Sequence, residues 1–135
     1  SDGVQDQSKK LLDKAVQAYE NAYAPYSKYK VGAAVLWDSG RMTTGSNVEN
    51  ASYGLTVCAE RNAIFQGTAL GERKIRAIAI AVPDEHMPTP CGSCRQVLRE
   101  FSTDCAVLLI NGKGENRQTS LQALLPESFG PEFLK

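Results

Sequence analysis

The sequence has no net charge: fifteen Lys and Arg residues cancel fifteen Asp and Glu over 135 residues, so no long-range field draws the chain to DNA, RNA or an anionic membrane. It also has no apolar run near the roughly 20 residues that span a bilayer. The opening stretch Ser1-Asp2-Gly3-Val4-Gln5-Asp6 lacks the basic and apolar blocks of a secretory signal, and a cytoplasmic location is the expectation. Cysteine is scarce: four residues, in a chain whose hydrophobic fraction of 42% is large enough for a core, argue against a disulfide scaffold. One domain over residues 1–135 is expected, with a small neutral partner, no nucleic acid and no membrane.

Three of the four cysteines are clustered around one acid. Cys58-Ala59-Glu60 opens one predicted helix and Pro90-Cys91-Gly92-Ser93-Cys94 opens another. Three soft thiolates beside a glutamate that need not be a ligand describe a catalytic zinc site with one position open to water; a structural site would normally take a fourth protein ligand. A redox dithiol is the competing reading of Cys-x-x-Cys, but it leaves Cys58-Ala59-Glu60 unexplained. Cys105 as a fourth ligand is disfavoured because it begins a buried strand, at the opposite end from the helix starts, and it reads as a core residue. His86, in the polar stretch Asp84-Glu85-His86-Met87, reads as a solvated loop residue.

Hydrophobic spacing supplies the elements. Leu11, Ala15, Ala18 and Ala22, widened by Leu12, Val16 and Tyr19, form the stripe of an amphipathic helix that Ala24-Pro25 ends. Val31 to Trp37 and Arg41 to Ser46 flank the turn signal Asp38-Ser39-Gly40 and predict a hairpin. Residues 47–56 read as a loop, and Cys58 to Leu70 as a helix stopped by Gly71. A strand over Ile75 to Val82 follows, then a helix capped by Thr89 with Pro90 at its first position, running to Phe101. Ala106 to Ile110, a turn at Asn111-Gly112, a short strand at Arg117 to Thr119 and a short helix at Leu121 to Leu125 complete the pattern.

Alternating strands and helices predict an α/β chain of three layers with crossovers onto a mixed sheet of roughly five strands. Each of the two central helices then starts where a strand ends, so both N-termini lie at one carboxyl edge, where open α/β sheets bind ligands. Cys58 can meet Cys91 and Cys94 there, and the last two share a face at a spacing of three. Helix N-termini also favour the thiolate form. Three thiolates would blunt a bound zinc unless donors drain their charge, and Arg61 and Gln96 are candidates for that task.

The motifs together resemble the cytidine deaminases of the small homotetrameric, zinc-dependent type. The resemblance rests on Ala22-Tyr23-Ala24-Pro25-Tyr26-Ser27-Lys28-Tyr29, Val31-Gly32-Ala33-Ala34, Asn47-Val48-Glu49-Asn50-Ala51, Cys58-Ala59-Glu60-Arg61, Pro90-Cys91-Gly92-Ser93-Cys94-Arg95-Gln96 and Leu124-Leu125-Pro126. It implies an α/β/α sandwich, hydrolysis of the amine of cytidine and 2′-deoxycytidine, zinc on Cys58, Cys91 and Cys94, and Glu60 as the proton shuttle. It further implies Asn47 and Glu49 on the ribose hydroxyls, the Ala59 backbone at the pyrimidine edge, the Thr89 carbonyl facing the leaving ammonia and Tyr29 beside the base. Phe129 resembles a tail aromatic that reaches into a neighbouring subunit's site. Tyr29, Ser46 and Asn62 depart from residues that are commonly Phe, Cys and Thr in relatives. A blasticidin-S-type deaminase is the nearest alternative, with residues 47–51 favouring the nucleoside. A structural zinc module is the non-enzyme alternative, and an editing deaminase is disfavoured for want of a basic, aromatic-rich surface.

Overall fold

The structure, a computed structural model, describes residues 2–134. Its first helix, α1 (Asp2–Tyr19), buries Leu11, Ala15 and Ala18 along one stripe. It ends before Ala22, earlier than the stripe predicts. Tyr23 pairs with Val48 as an isolated bridge, its N–H donating to the Asn47 carbonyl at 2.9 Å and its carbonyl accepting from Glu49 N at 2.9 Å. That extended pairing is incompatible with helical backbone at residue 23.

Five strands form one sheet: β1 (Gly32–Trp37), β2 (Met42–Ser46), β3 (Ile75–Ala81), β4 (Ala106–Ile110) and β5 (Asn116–Ser120), in the order β2-β1-β3-β4-β5. Only β3 and β4 pair in parallel, with Ile80 opposite Leu109; the other pairings are antiparallel. β2 and β3 nonetheless run in the same direction with β1 between them. Both crossover helices, α2 (Ala59–Ala69) and α3 (Gly92–Phe101), therefore begin at the same sheet edge, as the sequence predicts.

Side chains alternate across the sheet with both faces covered, which explains the apolar run of β1 and, beyond the exposed Arg76, that of β3. Ala33, Val35, Trp37, Ile78 and Ile80 face α2, α3 and the short α4 (Leu121–Leu124), whereas Ala34, Leu36, Ala77 and Ala79 face α1. The result is helix, sheet, helix. Small residues set the spacing: a β-carbon at Gly32 would collide with Ala15 O and Tyr19 N of α1, and one at Gly45 with Ala59 O and Ala63 N of α2. Gly45 thus lets the first turns of α2 lie on β2. Trp37 is fully buried between these layers; its indole N–H donates to Thr43 Oγ1 at 2.9 Å, Thr43 donates to the Ala63 carbonyl at 2.7 Å, and Phe101 meets it edge-on at 6.2 Å.

Two boundaries differ from expectation. α3 starts at Gly92 with Cys91 in the capping position, extended at φ −68, ψ 168, so Thr89 and Pro90 precede the helix and belong to the loop. The β4–β5 connection is longer than an Asn-Gly turn. The buried Asn111 side chain organises it, accepting from Lys113 N and Glu115 N at 3.1 and 3.0 Å and donating to the Glu85 carbonyl at 2.8 Å.

Candidate metal and active site

Cys58 caps α2 and Cys91 caps α3, both in extended backbone, with Cys94 one turn into α3. The three Sγ atoms lie within 4.8 Å of one another, Cys58 to Cys91 at 3.9 Å and Cys91 to Cys94 at 3.3 Å. Two sulfurs on one tetrahedral zinc at about 2.3 Å would be about 3.8 Å apart, so the spacing fits that ion with only small adjustments. The surroundings fit as well. Arg61 Nη2 donates to Cys58 Sγ at 3.4 Å, and its buried Nε is the one buried side-chain nitrogen or oxygen without a partner among the described residues. An unpartnered cationic donor beside three sulfurs suits a cluster that becomes more anionic when all three are thiolates. Within the cluster, the Cys94 thiol first and Arg61 next hold Cys58 down at about 5, against the pull of burial. Cys94, hydrogen-bonded to Cys58 and buried, is pushed up and keeps the proton.

Glu60, in the first turn of α2, is buried at the same corner. Burial pushes its carboxyl up to about 7, with Cys58 adding in the same direction; a divalent cation on the sulfurs pulls the other way. The loop before α3 is tied down by Arg95, whose Nε donates to the Pro90 carbonyl and whose Nη1 donates to the Leu124 carbonyl, both at 2.8 Å.

A cavity of about 250 Å³ opens over this corner. Cys58, Ala59, Glu60 and Cys91 line one end, Asn47, Glu49 and Ser27 the other, with Tyr29, Pro88 and Thr89 among the wall residues. Tyr29 presents its hydroxyl in the neutral, donating form, held there by burial first and then by Asp84 and Glu60. Glu49 lies below the usual carboxylate range because the Ser27 hydroxyl and two backbone N–H groups bond its charged form. At one end the arrangement sets three sulfurs that would hold a water-activating metal beside a buried carboxyl, and at the other an anionic acceptor with an amide.

Of the residues singled out from the sequence, Cys58, Cys91, Glu60, Ala59, Thr89, Tyr29, Asn47 and Glu49 share this cavity, with Cys94 and Arg61 directly behind it. Gln96 does not join them as expected. Its Nε2 donates to the Phe129 carbonyl at 2.9 Å, and among the described residues it makes no hydrogen bond to a sulfur, because the carboxyl-terminal tail folds back over α3. Phe129 lies outside this cavity, exposed and stacked on Phe133 at 5.4 Å. Asn62 and Ser46 meet, Asn62 Nδ2 donating to the Ser46 carbonyl at 2.8 Å. Cys105 is core and His86 is exposed. Sequence reasoning missed Arg95 and Ser27; both sit inside motifs, but only their hydrogen bonds show what they hold.

A family model described as the cytidine and deoxycytidylate deaminase zinc-binding region matches residues 5–110. The chain is 45% identical to the cytidine deaminase of Halalkalibacterium halodurans over 90% of its own length and 93% of the relative's. Its fold matches the crystal structure of cytidine deaminase from Burkholderia pseudomallei with a TM-score of 0.85 at 46% identity, covering 90% of this chain and 98% of that one. The corresponding values for the Mycobacterium tuberculosis cytidine deaminase structure are 0.79, 42%, 90% and 96%.

Proposed function

The chain belongs to the cytidine and deoxycytidylate deaminase family, and from that premise we propose that this cavity hydrolyses the amine of cytidine and 2′-deoxycytidine to uridine, or 2′-deoxyuridine, and ammonia. Zinc-dependent deamination of cytidine is the activity. The observation that carries it is the meeting of three cysteine sulfurs with a buried glutamate at one end of a nucleoside-sized cavity.

In this reading Cys58, Cys91 and Cys94 hold the zinc. When bound, the metal lowers the pKa of a water molecule and so supplies a nucleophile at neutral pH. Glu60 would move one proton from the attacking water to the ring nitrogen, where the product keeps it, and a second from the resulting hydroxyl to the departing amine. A carboxyl whose burial raises it toward neutrality is suited to both halves of that exchange. Asn47 and Glu49 bind the sugar hydroxyls, the Ala59 backbone meets the pyrimidine edge, the Thr89 carbonyl faces the leaving ammonia, and Tyr29 lies against the base; their common lining of the cavity supports these roles. Arg61 draws charge from Cys58.

The working assembly is a homotetramer, a reading supported by exposed apolar side chains at Tyr26, Tyr53 and Leu55 by the sugar end and at Phe129, Phe133 and Leu134 on the tail. Phe129 then completes a neighbour's site. Four unpaired cysteines accord with a reducing, cytoplasmic setting, and one catalytic unit accounts for residues 1–135. A zinc-replete assay with cytidine, 2′-deoxycytidine, CMP and blasticidin S tests the reading. Ammonia release from the two nucleosides is expected; turnover confined to blasticidin S, or none in the zinc-loaded protein, refutes it.

A further inference from the structure

The segment from Tyr26 to Val31 runs along the cavity and is held there by the two side chains assigned above to the sugar. Tyr26 N and Ser27 N donate to Glu49 Oε1 at 3.0 and 3.1 Å, and the Ser27 hydroxyl donates to Glu49 Oε2. The same hydroxyl oxygen accepts from Tyr29 N at 3.0 Å. Asn47 Nδ2 donates to the Tyr29 carbonyl at 2.8 Å, and its Oδ1 accepts from Val31 N at 2.9 Å. Between Ser27 and Tyr29, Lys28 adopts φ +62, the left-handed region that disfavours any residue with a β-carbon. Such a turn persists where its surroundings over-determine it, and here Glu49 and Asn47 grip it on both sides.

We propose that Ser27 is a positioning residue that couples recognition of the sugar by Glu49 to enclosure of the base by Tyr29. The inference rests on the deaminase reading and extends it. A carboxylate offers about four lone-pair sites; two backbone N–H groups and the Ser27 hydroxyl occupy three. A sugar hydroxyl donating to the remaining site shares the acceptor that orients Ser27, and Ser27 in turn fixes the backbone N–H of Tyr29. Occupancy at the sugar end is therefore felt at the wall beside the base. A nucleoside with free sugar hydroxyls engages both ends of this relay, whereas a free pyrimidine base engages one.

The test is a cycle of Ser27→Ala, Tyr29→Ala and the double variant, each zinc-loaded and assayed with cytidine. Ser27→Ala is expected to raise KM roughly tenfold, the effect of one lost hydrogen bond to a charged group, with kcat within about twofold. Ser27→Thr, which keeps the hydroxyl, restores KM. In the Tyr29→Ala background the loss of Ser27 adds less than about twofold, because the coupled effect is already gone. Should Ser27→Ala fold poorly, as judged by zinc content and unfolding midpoint, Ser27→Cys replaces it with the same expectations. An unchanged KM, a Thr variant that does not rescue, or two single effects that multiply in full overturns the coupling. Absence of cytidine turnover by the wild-type protein overturns the deaminase reading instead, so the two failures are distinct.

Discussion

Removing the Arg61 guanidinium tests the charge balance of the metal site. Its Nη2 contacts Cys58 Sγ at 3.4 Å and its Nε is buried without a partner, so Arg61→Ala deletes one charge-assisted hydrogen bond and a neighbouring positive charge. A hydrogen bond to a charged group is worth about 1.5–3 kcal/mol, which at about 1.4 kcal/mol per tenfold is roughly 10- to 150-fold in metal affinity. Arg61 is only half-buried, and solvent screening favours the lower part of that range. We expect zinc to bind about 10- to 100-fold more weakly, the usual size of an effect transmitted through a ligand's partner. Competition with a chromophoric chelator at fixed pH and ionic strength reads the affinity, and turnover per bound zinc at saturating metal reads the chemistry. Arg61→Lys, which keeps the charge but loses the planar fork, is expected to fall between the two. Wild-type zinc affinity together with wild-type turnover in Arg61→Ala would show that the thiolates need no help from this side chain.

Glu60→Gln keeps its zinc and its fold but loses turnover by at least roughly 10²- to 10⁴-fold, since an amide cannot move the proton; metal analysis beside a turnover assay checks it, and substantial residual activity removes Glu60 from the mechanism. Burial pushes the Cys105 thiol from its ordinary 9.0 up to about 11. The folded protein therefore keeps a proton that the unfolded chain releases: stability is intact below about pH 9 and falls as pH rises through about 11, by roughly 2–3 kcal/mol in total. Cys105→Ala flattens that slope in denaturant titrations at about pH 8 and about pH 10.5, and identical slopes for both proteins reject the assignment. Phe129→Ala weakens cytidine binding by roughly 2- to 10-fold, the scale of one aromatic contact, at unchanged zinc content; light scattering that finds a fully active monomer rules out sites completed across an interface.

Much of this was legible in the residues themselves. Local signals located all five strands: Asp38-Ser39-Gly40 marks the β1–β2 turn, and Gly40 takes φ +97 there. Crossover geometry brought Cys58 to Cys91 across a separation of 33 residues, because parallel direction and helix placement follow from element order. What escaped was decided by contacts with distant parts of the chain. α1 stops early because Tyr23 pairs with Val48, a preference no local window contains. Thr89 and Pro90 look like a helix start, yet Arg95 holds the Pro90 carbonyl and leaves Cys91 to cap α3. Gln96, adjacent to the cysteine motif in sequence, turns to the tail because Phe129 returns over α3. Resemblance alone assigns Glu49 and Asn47 to the sugar, and their grip on residues 26–31 is a tertiary fact that no motif shows.

The tryptophan in β1 makes the molecule its own optical reporter. Trp37 is the chain's single tryptophan and is wholly shielded from water. Its indole N–H points through Thr43 toward the Ala63 carbonyl, and its ring fills the space that a side chain at Gly67 would claim, so it reads the seating of the helix that carries Cys58 and Glu60. Emission from the native protein should be blue-shifted, and any loosening of α2 from the sheet should move it to the red before the rest of the sheet opens. The tyrosines beside the cavity emit in a separate band. One fluorescence trace can therefore distinguish a variant whose helix has lifted from one whose helix is seated but whose chemistry has failed.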